Sequence, residues 1–176
     1  MAERPSLQSP SDNPAAGVFQ RALAMDESRD PRAKALYLEA TAVGDCVADA
    51  FCNLGLLELQ DGNRAAAYDY YTRALRHDPR HFESHYNLAC FYIESRELDL
   101  AQLHLEICAC LEPERCPQVH LDLGVVLTMK EQYDLAYRHL VSFKNLAGER
   151  DDTQADALLS CVETLASAHQ GLIASN

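Results

Sequence analysis

Small and large apolar residues follow one another along this chain in a pattern that repeats every 34 to 35 residues. A leucine followed by a small residue stands at 54–55, 88–89 and 123–124, and an alanine comes twelve residues later, at 67, 101 and 136. Two antiparallel helices pack closely where small residues face each other, and large apolar side chains fill the remaining space. Each unit is therefore predicted to be a helical hairpin, with turns at 61–63, 95–97 and 130–132.

The repeated unit resembles the tetratricopeptide repeat (TPR) family over residues 48 to about 150. Small residues occupy the eighth and twentieth positions, an aromatic residue or leucine the twenty-fourth, and proline the thirty-second in two units of the three. The fourth position departs from the family, because it holds Phe51 in one unit but His85 and His120 in the others. The resemblance implies an all-α fold, a TPR-like right-handed superhelix of antiparallel helical hairpins.

This repeat pattern also predicts the domain boundaries. Three clear repeats are expected over 48–81, 82–116 and 117–150, after a degenerate or partial repeat over 15–47. A junction near residues 40–55 is similar to Sel1-like repeats. Residues 1–14 lack a periodic apolar pattern and are predicted to form a disordered arm.

The last part of the chain predicts one further helix. Leu158, Leu159, Val162 and Leu165 recur at three- and four-residue steps, which is typical of an amphipathic helix. We expect a capping helix over 151–172 that covers the open end of the array, followed by a tail at 173–176.

Charge and cysteine content limit the possible partners and the location. The 176 residues include 15 Lys and Arg against 27 Asp and Glu, a net charge of −12, and such a chain repels phosphate backbones and anionic lipids. We therefore expect neither nucleic acid nor membrane as a partner. Seven cysteines cannot all pair, and no apolar run reaches the length of a signal peptide or a membrane span. These features predict reduced thiols and a cytoplasmic protein.

The TPR resemblance implies a concave wall, lined mainly by the first helix of each hairpin. Apolar residues with acidic or amide neighbours occupy the corresponding positions. Such a wall favours a peptide with hydrophobic anchors and flanking positive charge, and Tyr86 is the best anchor candidate. The candidate partner-binding residues are Asp49, Cys52, Asn53, Leu56, Leu59, Glu83, Tyr86, Asn87, Cys90, Ile93, Glu94, Leu121, Asp122, Val125 and Met129.

Two alternatives bear on this wall. Binding the carboxylate terminus of a chaperone requires Lys and Arg at concave positions, and none of the candidate residues is basic, which argues against that function. In the second alternative, Tyr86, Leu56 and Val125 only contact neighbouring helices, or the 1–14 arm covers them.

Metal and catalytic chemistry have little support in the sequence. Cys108, Cys110, Cys116 and His120 are soft ligand types at short range, but Cys108 and Cys110 are expected to point to different faces of one helix. The series His77, His81 and His85 is interrupted by a proline, so these residues span a helix end and the next helix start. No nucleophile motif or Gly-rich phosphate loop is present. We predict neither a cofactor nor an enzyme.

The function that the sequence favours is a non-catalytic protein-protein interaction module, an adaptor or chaperone-like protein that holds a peptide segment. The alternative is a self-assembling structural platform that uses its terminal or concave faces. A single apolar stripe on the last helix favours a monomer over a homo-oligomer.

Overall fold

A computed structural model describes residues 17–112, 116–147 and 152–174. The arm predicted at 1–14, the helix-ending Pro113 and Gly148, and the residue Asp151 before the last helix lie outside the described residues. Within the described ranges, all regular secondary structure is helical. The helices are α1 (Val18–Glu27), α2 (Ala33–Val43), α3 (Val47–Gln60), α4 (Arg64–His77), α5 (Phe82–Glu94), α6 (Leu98–Leu111), α7 (Pro117–Met129), α8 (Tyr133–Ala147) and α9 (Asp152–Ala174).

The chain divides between Ser84 and His85 into two compact units. In the first unit α1 packs on α2, α2 on α3, and α3 on α4. In the second unit α6 packs on α7, α7 on α8, and α8 on α9. The helix α9 includes residues 173–174, which the sequence assigned to a tail. No helix in the described ranges is both long enough and apolar enough to cross a membrane.

The turns inside the hairpins share one backbone geometry. Arg29, Gly62, Arg96 and Glu131 all adopt a left-handed conformation, with φ between 56° and 80°. In each turn the N–H of the following residue donates to a carbonyl five residues earlier, as Asn63 does to Glu58 at 2.8 Å. This bond satisfies a carbonyl group that the helix end would otherwise leave without a partner. The three predicted turns are confirmed, and the degenerate segment 15–47 contains a hairpin of the same type.

Long-range polar contacts hold the first hairpin in place. The Asp45 carboxylate accepts a hydrogen bond from the backbone N–H of Phe19 at 2.8 Å and thereby caps the start of α1. The Tyr37 hydroxyl, on α2, donates to Asp26 on α1 at 3.1 Å. The fully buried Ala22 on α1 is the small residue in this hairpin, in a core shared with Tyr37 and Ala40 on α2.

Close helix contact in the clear repeats depends on the small residues. Gly55 on α3 faces Tyr71 on α4, and a Cβ atom at residue 55 would lie 2.5 Å from Cε1 of that ring. In the second unit Ala89 and Leu105 occupy the corresponding positions, and both are fully buried. In the third clear repeat Gly124 faces Leu140, and a Cβ atom at residue 124 would lie 2.6 Å from Cγ and Cδ2 of that side chain. A glycine is therefore needed wherever the opposite side chain lies against the helix backbone, whether that side chain is tyrosine or leucine.

The last helix covers part of the second unit. Val162 is buried, whereas Leu165 is 38% exposed, so the expected stripe is only partly covered. An apolar cleft of about 120 Å³ lies among α7, α8 and α9, lined by residues such as Val125, Leu140 and Leu158.

Candidate protein-interaction surface

One candidate surface in the second unit is formed by α5 and α7. The Tyr86 hydroxyl on α5 donates a hydrogen bond to the Asp122 carboxylate on α7 at 2.9 Å. The Gln118 side-chain amide donates to the other oxygen of Asp122 at 3.0 Å. The polar end of the best anchor candidate is therefore already engaged within the protein, and its ring lies half-buried beside a held carboxylate.

Partial burial changes the titration of this cluster. Burial raises the pKa of Asp122, although the hydrogen bonds from Gln118 and Tyr86 act in the opposite direction. Burial and the nearby Asp122 charge also raise the pKa of Tyr86. The same two causes, with burial the larger, raise the pKa of Cys90 to about 11. Cys90 is thus a neutral, weakly reactive thiol at physiological pH, and the cluster provides packing surface rather than a nucleophile.

The remaining candidates on α5 and α7 differ in exposure. Met129 is 40% exposed, and Glu94 is exposed at the end of α5. Asn87, Ile93 and Val125 are partly buried. Leu121 is buried in the helix packing, so little of its side chain is left for a partner, and it is not carried into the proposed surface. We call the set Tyr86, Asn87, Cys90, Ile93, Glu94, Asp122, Val125 and Met129 the α5/α7 face.

A second surface in the first unit follows α3. Leu56 and Leu59 are each 36% exposed, and the carboxylates of Asp49 and Glu83 approach the His81 ring at 3.4 and 3.7 Å. Cys52 is buried, so its thiol offers almost no surface to a partner, and it is not carried into the proposed surface.

Asn53 on α3 has a structural partner on α2. Its side-chain amide hydrogen-bonds the Tyr37 hydroxyl, which lies between α1 and α3. This contact helps to fix the first hairpin. We call Asp49, Leu56, Leu59 and Glu83 the α3 face.

A tetratricopeptide repeat family model matches residues 70–103. That segment runs from the second half of one predicted repeat into the next. The resemblance to TPR proteins is confirmed.

Solved TPR-type structures share the fold. The structure of MamA AMB-1 superposes on this chain with a TM-score of 0.69 at 19% identity, and the match covers 88% of this chain and 81% of the MamA chain. PilF of Pseudomonas aeruginosa gives a TM-score of 0.67 at 17% identity, and the match covers 86% of this chain and 71% of the PilF chain. The C-terminal part of a TPR repeat-containing protein from Cytophaga hutchinsonii gives a TM-score of 0.67 at 15% identity, and the match covers 86% of this chain and 59% of that chain. At these identities the likeness concerns the fold alone. No curated protein matches the chain in sequence.

Histidines at the fourth TPR position are part of the helix packing. The Nδ1 atom of His85 on α5 lies 2.9 Å from Nδ1 of His104 on α6. In the next repeat, Nδ1 of His120 lies 3.0 Å from Nδ1 of His139. One ring of each pair must donate its N–H while the other accepts. Sequence reasoning missed His104 and His139, although they stand 35 residues apart, like their partners.

His81 and Ser84 contact each other at the start of α5. The Nδ1 atom of His81 accepts a hydrogen bond from the Ser84 backbone N–H at 3.2 Å and lies 2.9 Å from its hydroxyl oxygen. His81 thereby caps the start of α5. Because Ser84 is fully buried, its hydroxyl cannot meet a substrate in the way a nucleophile must.

Possible metal ligands are separated in the structure. Cys108 is buried and Cys110 is exposed, which confirms that they point to different faces of α6. His77 contacts the Phe51 ring, with the two ring centroids 5.4 Å apart. Over residues 17–112, 116–147 and 152–174, no three His, Cys, Asp or Glu side chains come together as metal ligands.

Proposed function

We propose that this protein is a non-catalytic adaptor or chaperone-like module that holds an apolar peptide segment with flanking Lys or Arg residues. The observation that carries the proposal is the composition of the α5/α7 face. Apolar Ile93, Val125 and Met129 accompany the acidic Glu94 and Asp122, and no Lys or Arg belongs to the face. Burial of apolar side chains supplies affinity, and the acidic groups attract a positive partner and repel a negative one.

Tyr86 contributes its ring to this face while its hydroxyl stays on Asp122. A tyrosine held in this way loses little side-chain entropy when a peptide binds, because its rotamer is already fixed. We propose that the peptide packs its main apolar side chain against the Tyr86 ring and Val125, next to Met129. The α3 face, with Leu56 and Leu59 beside Asp49 and Glu83, has the same chemistry and is proposed as a second peptide contact.

We propose that the protein acts in the cytoplasm, since its seven cysteines favour a reducing compartment.

The proposed role is non-catalytic. TPR proteins are in general interaction modules without catalysis, and the weakly reactive Cys90 and buried Ser84 support that role for this chain.

Binding to arrays of short peptides tests the proposal. One set carries an apolar core with Lys at both ends, a second has Glu in place of Lys, and a third keeps the Lys but replaces the apolar core with Ser. We expect the protein to bind the first set about tenfold or more tightly than either of the others. Equal binding to the Lys and Glu sets would contradict the proposal.

A variant and a matched control locate the site. Met129→Ser with Glu94→Lys removes apolar area and reverses a charge on the α5/α7 face, and we expect about a tenfold loss of affinity for the best peptide. Leu135→Ser alters a side chain on α8 that is 43% exposed and lies outside the face, so it should bind normally. Circular dichroism melting curves for both variants establish that they fold.

Self-assembly is the competing function. Light scattering on the free protein measures its mass across concentration. We expect a monomer, because a net charge of −12 makes copies repel each other. An oligomer that the Met129→Ser, Glu94→Lys variant dissociates would favour the structural platform instead.

A further inference from the structure

An exposed apolar stripe runs along α6 on the side away from its packed core. Leu100 is 38% exposed and Leu103 is 50% exposed. Ile107 is partly buried, and Cys110 is exposed. These residues are spaced by three, four and three positions, so they lie on one side of the helix over about 15 Å. We call them the α6 stripe.

Most of the α6 stripe lies outside the hairpin core. Ala101, Leu105 and Cys108 form the packed side of α6, and all three are fully buried. Leu100, Leu103 and Cys110 lie away from that side and are exposed, while Ile107 is partly buried. An exposed row of apolar side chains indicates a surface for another molecule.

Neighbouring repeats have different residues at the same four positions. The corresponding residues are Ala66, Asp69, Arg73 and Arg76 on α4, and Leu135, Arg138, Ser142 and Asn145 on α8. Both of those helices fold with mainly polar residues there. The apolar stripe is therefore particular to α6 and is not a requirement of the repeat.

Charge on α6 identifies the kind of partner. The helix contains Asp99 and Glu106 but no Lys or Arg, whereas α4 contains Arg64, Arg73 and Arg76, and α8 contains Arg138 and Lys144. Lys130 from the turn after α7 pairs with Asp99 at 2.5 Å and also donates to Gln102 at 2.6 Å, so it neutralises one of the two carboxylates. Glu106, which accepts a hydrogen bond from the neutral Gln102 amide at 2.6 Å, is the negative group that remains beside the stripe. Positive charge beside apolar residues is what complements this surface.

We propose that the α6 stripe docks an amphipathic helix of another protein, with apolar residues at three- and four-residue spacing flanked by Lys or Arg. Two such helices pack their apolar sides together while the charged residues pair along the edges. This surface is separate from the α5/α7 face and does not depend on the function proposed for that face. A stripe of this length buries less area than a standard interface, so the complex is weak and salt-dependent.

A synthetic helical peptide of Leu and Lys, with Leu in the matching spacing, is the probe. Fluorescence anisotropy measures its affinity for the full chain, beside the same peptide with Glu in place of Lys and a scrambled Leu and Lys peptide. We expect the Lys peptide to bind about tenfold or more tightly than either comparison peptide. Similar affinity for the Glu or the scrambled peptide would overturn the proposal.

The variant Leu103→Arg with Ile107→Ser places the α8 residues on α6, and α8 shows that a helix of this repeat folds with them. We expect it to weaken binding of the Lys peptide about tenfold or more. Leu135→Arg adds the same charge on α8 of the same unit and should change affinity less than about twofold. An equal loss in both variants would mean that charge alone drives binding and would overturn the docking site.

Two further results separate this proposal from its alternatives. In a protein that already carries Met129→Ser and Glu94→Lys, adding Leu103→Arg with Ile107→Ser should still weaken binding of the Lys peptide about tenfold, and no further loss would assign the peptide to the α5/α7 face instead. Light scattering on the free protein tests for a second copy on the stripe. A dimer that Leu103→Arg with Ile107→Ser dissociates would replace the proposed partner with self-association.

Discussion

The residue at the fourth repeat position decides how the two helices of a hairpin contact each other. In the first clear repeat it is Phe51, whose ring stacks on Tyr70 with centroids 6.1 Å apart. In the next repeat the same pair of positions holds His85 and His104, which share a hydrogen bond. The tyrosine-phenylalanine contact is insensitive to pH, whereas a pair of imidazoles responds to protonation.

This difference predicts that acid destabilises the second unit. Burial and the charge of His85 lower the pKa of His104 to about 4, compared with about 6.5 for an unfolded histidine. Burial followed by the charge of His120 lowers the pKa of His139 as well, against the opposing effect of Glu106. Between about pH 6.5 and about pH 4, the unfolded chain therefore binds more protons than the folded chain. The contribution of these neutral histidines to the free energy of unfolding is fully present above about pH 6.5 and is lost as the pH falls toward about 4.

Urea denaturation at about pH 7.5 and about pH 5.5 measures the effect. Within the window, the free energy of unfolding should fall as the pH falls, and the half-burial of the His104 ring keeps the slope below the limit of about 1.4 kcal/mol per pH unit for one proton. His85→Phe with His104→Tyr copies the first repeat and should reduce this pH dependence. If the double variant loses as much stability on acidification as the wild type, the histidine pair is not its cause.

At the scale of the helices, the fit between Gly55 and Tyr71 can be tested by a double-mutant cycle. Gly55→Ala should lower the free energy of unfolding by about 1–3 kcal/mol, because the new methyl group overlaps the ring. Gly55→Ala with Tyr71→Leu recreates the pair Ala89 and Leu105, so the methyl group should cost less in that background. Thermal or urea unfolding of the four proteins gives the coupling energy. Strict additivity of the two changes would contradict the packing argument.

The hairpin turns give a second prediction at this scale. Arg96 has a φ of 61°, a conformation that costs a non-glycine residue free energy, and Gly62 occupies the equivalent position in the preceding hairpin. Arg96→Gly should therefore stabilise the protein by about 0.5–1 kcal/mol, measured by urea unfolding. The reverse change, Gly62→Ala, should destabilise it. A loss of stability in Arg96→Gly would show that the arginine side chain contributes more than its backbone conformation costs.

Sequence periodicity predicted the helices and turns well because each clear repeat packs its two helices through the same pattern of small and large apolar residues. It placed the first hairpin less accurately, since α1 depends on the distant Asp45 and on the Tyr37 contact with Asp26. Which residues of the predicted binding wall are exposed was harder to predict than the position of the first hairpin. Cys52 and Leu121 occupy positions associated with the concave wall, yet their side chains are buried. A residue's repeat position fixes its helix face only approximately, and a small rotation of the helix decides its exposure.

For the whole molecule, fold and function rest on different residues. The fold is shared with MamA and PilF structures at 17–19% identity, so the helical framework can form from quite different sequences. The acidic charge, the α5/α7 face and the α6 stripe are surface features of this chain. Partner choice in a repeat protein comes from such surfaces, because the framework itself is common to many proteins.

The α5/α7 face is proposed to hold a positively flanked apolar peptide. Nuclear magnetic resonance shift mapping of the isotope-labelled full chain, titrated with the best Lys-flanked array peptide, locates the bound peptide residue by residue. We expect the largest shifts at Tyr86, Cys90, Val125 and Met129, and their loss in the Met129→Ser, Glu94→Lys variant. Saturable shifts confined to α8 and α9, with none on α5 or α7, would contradict it.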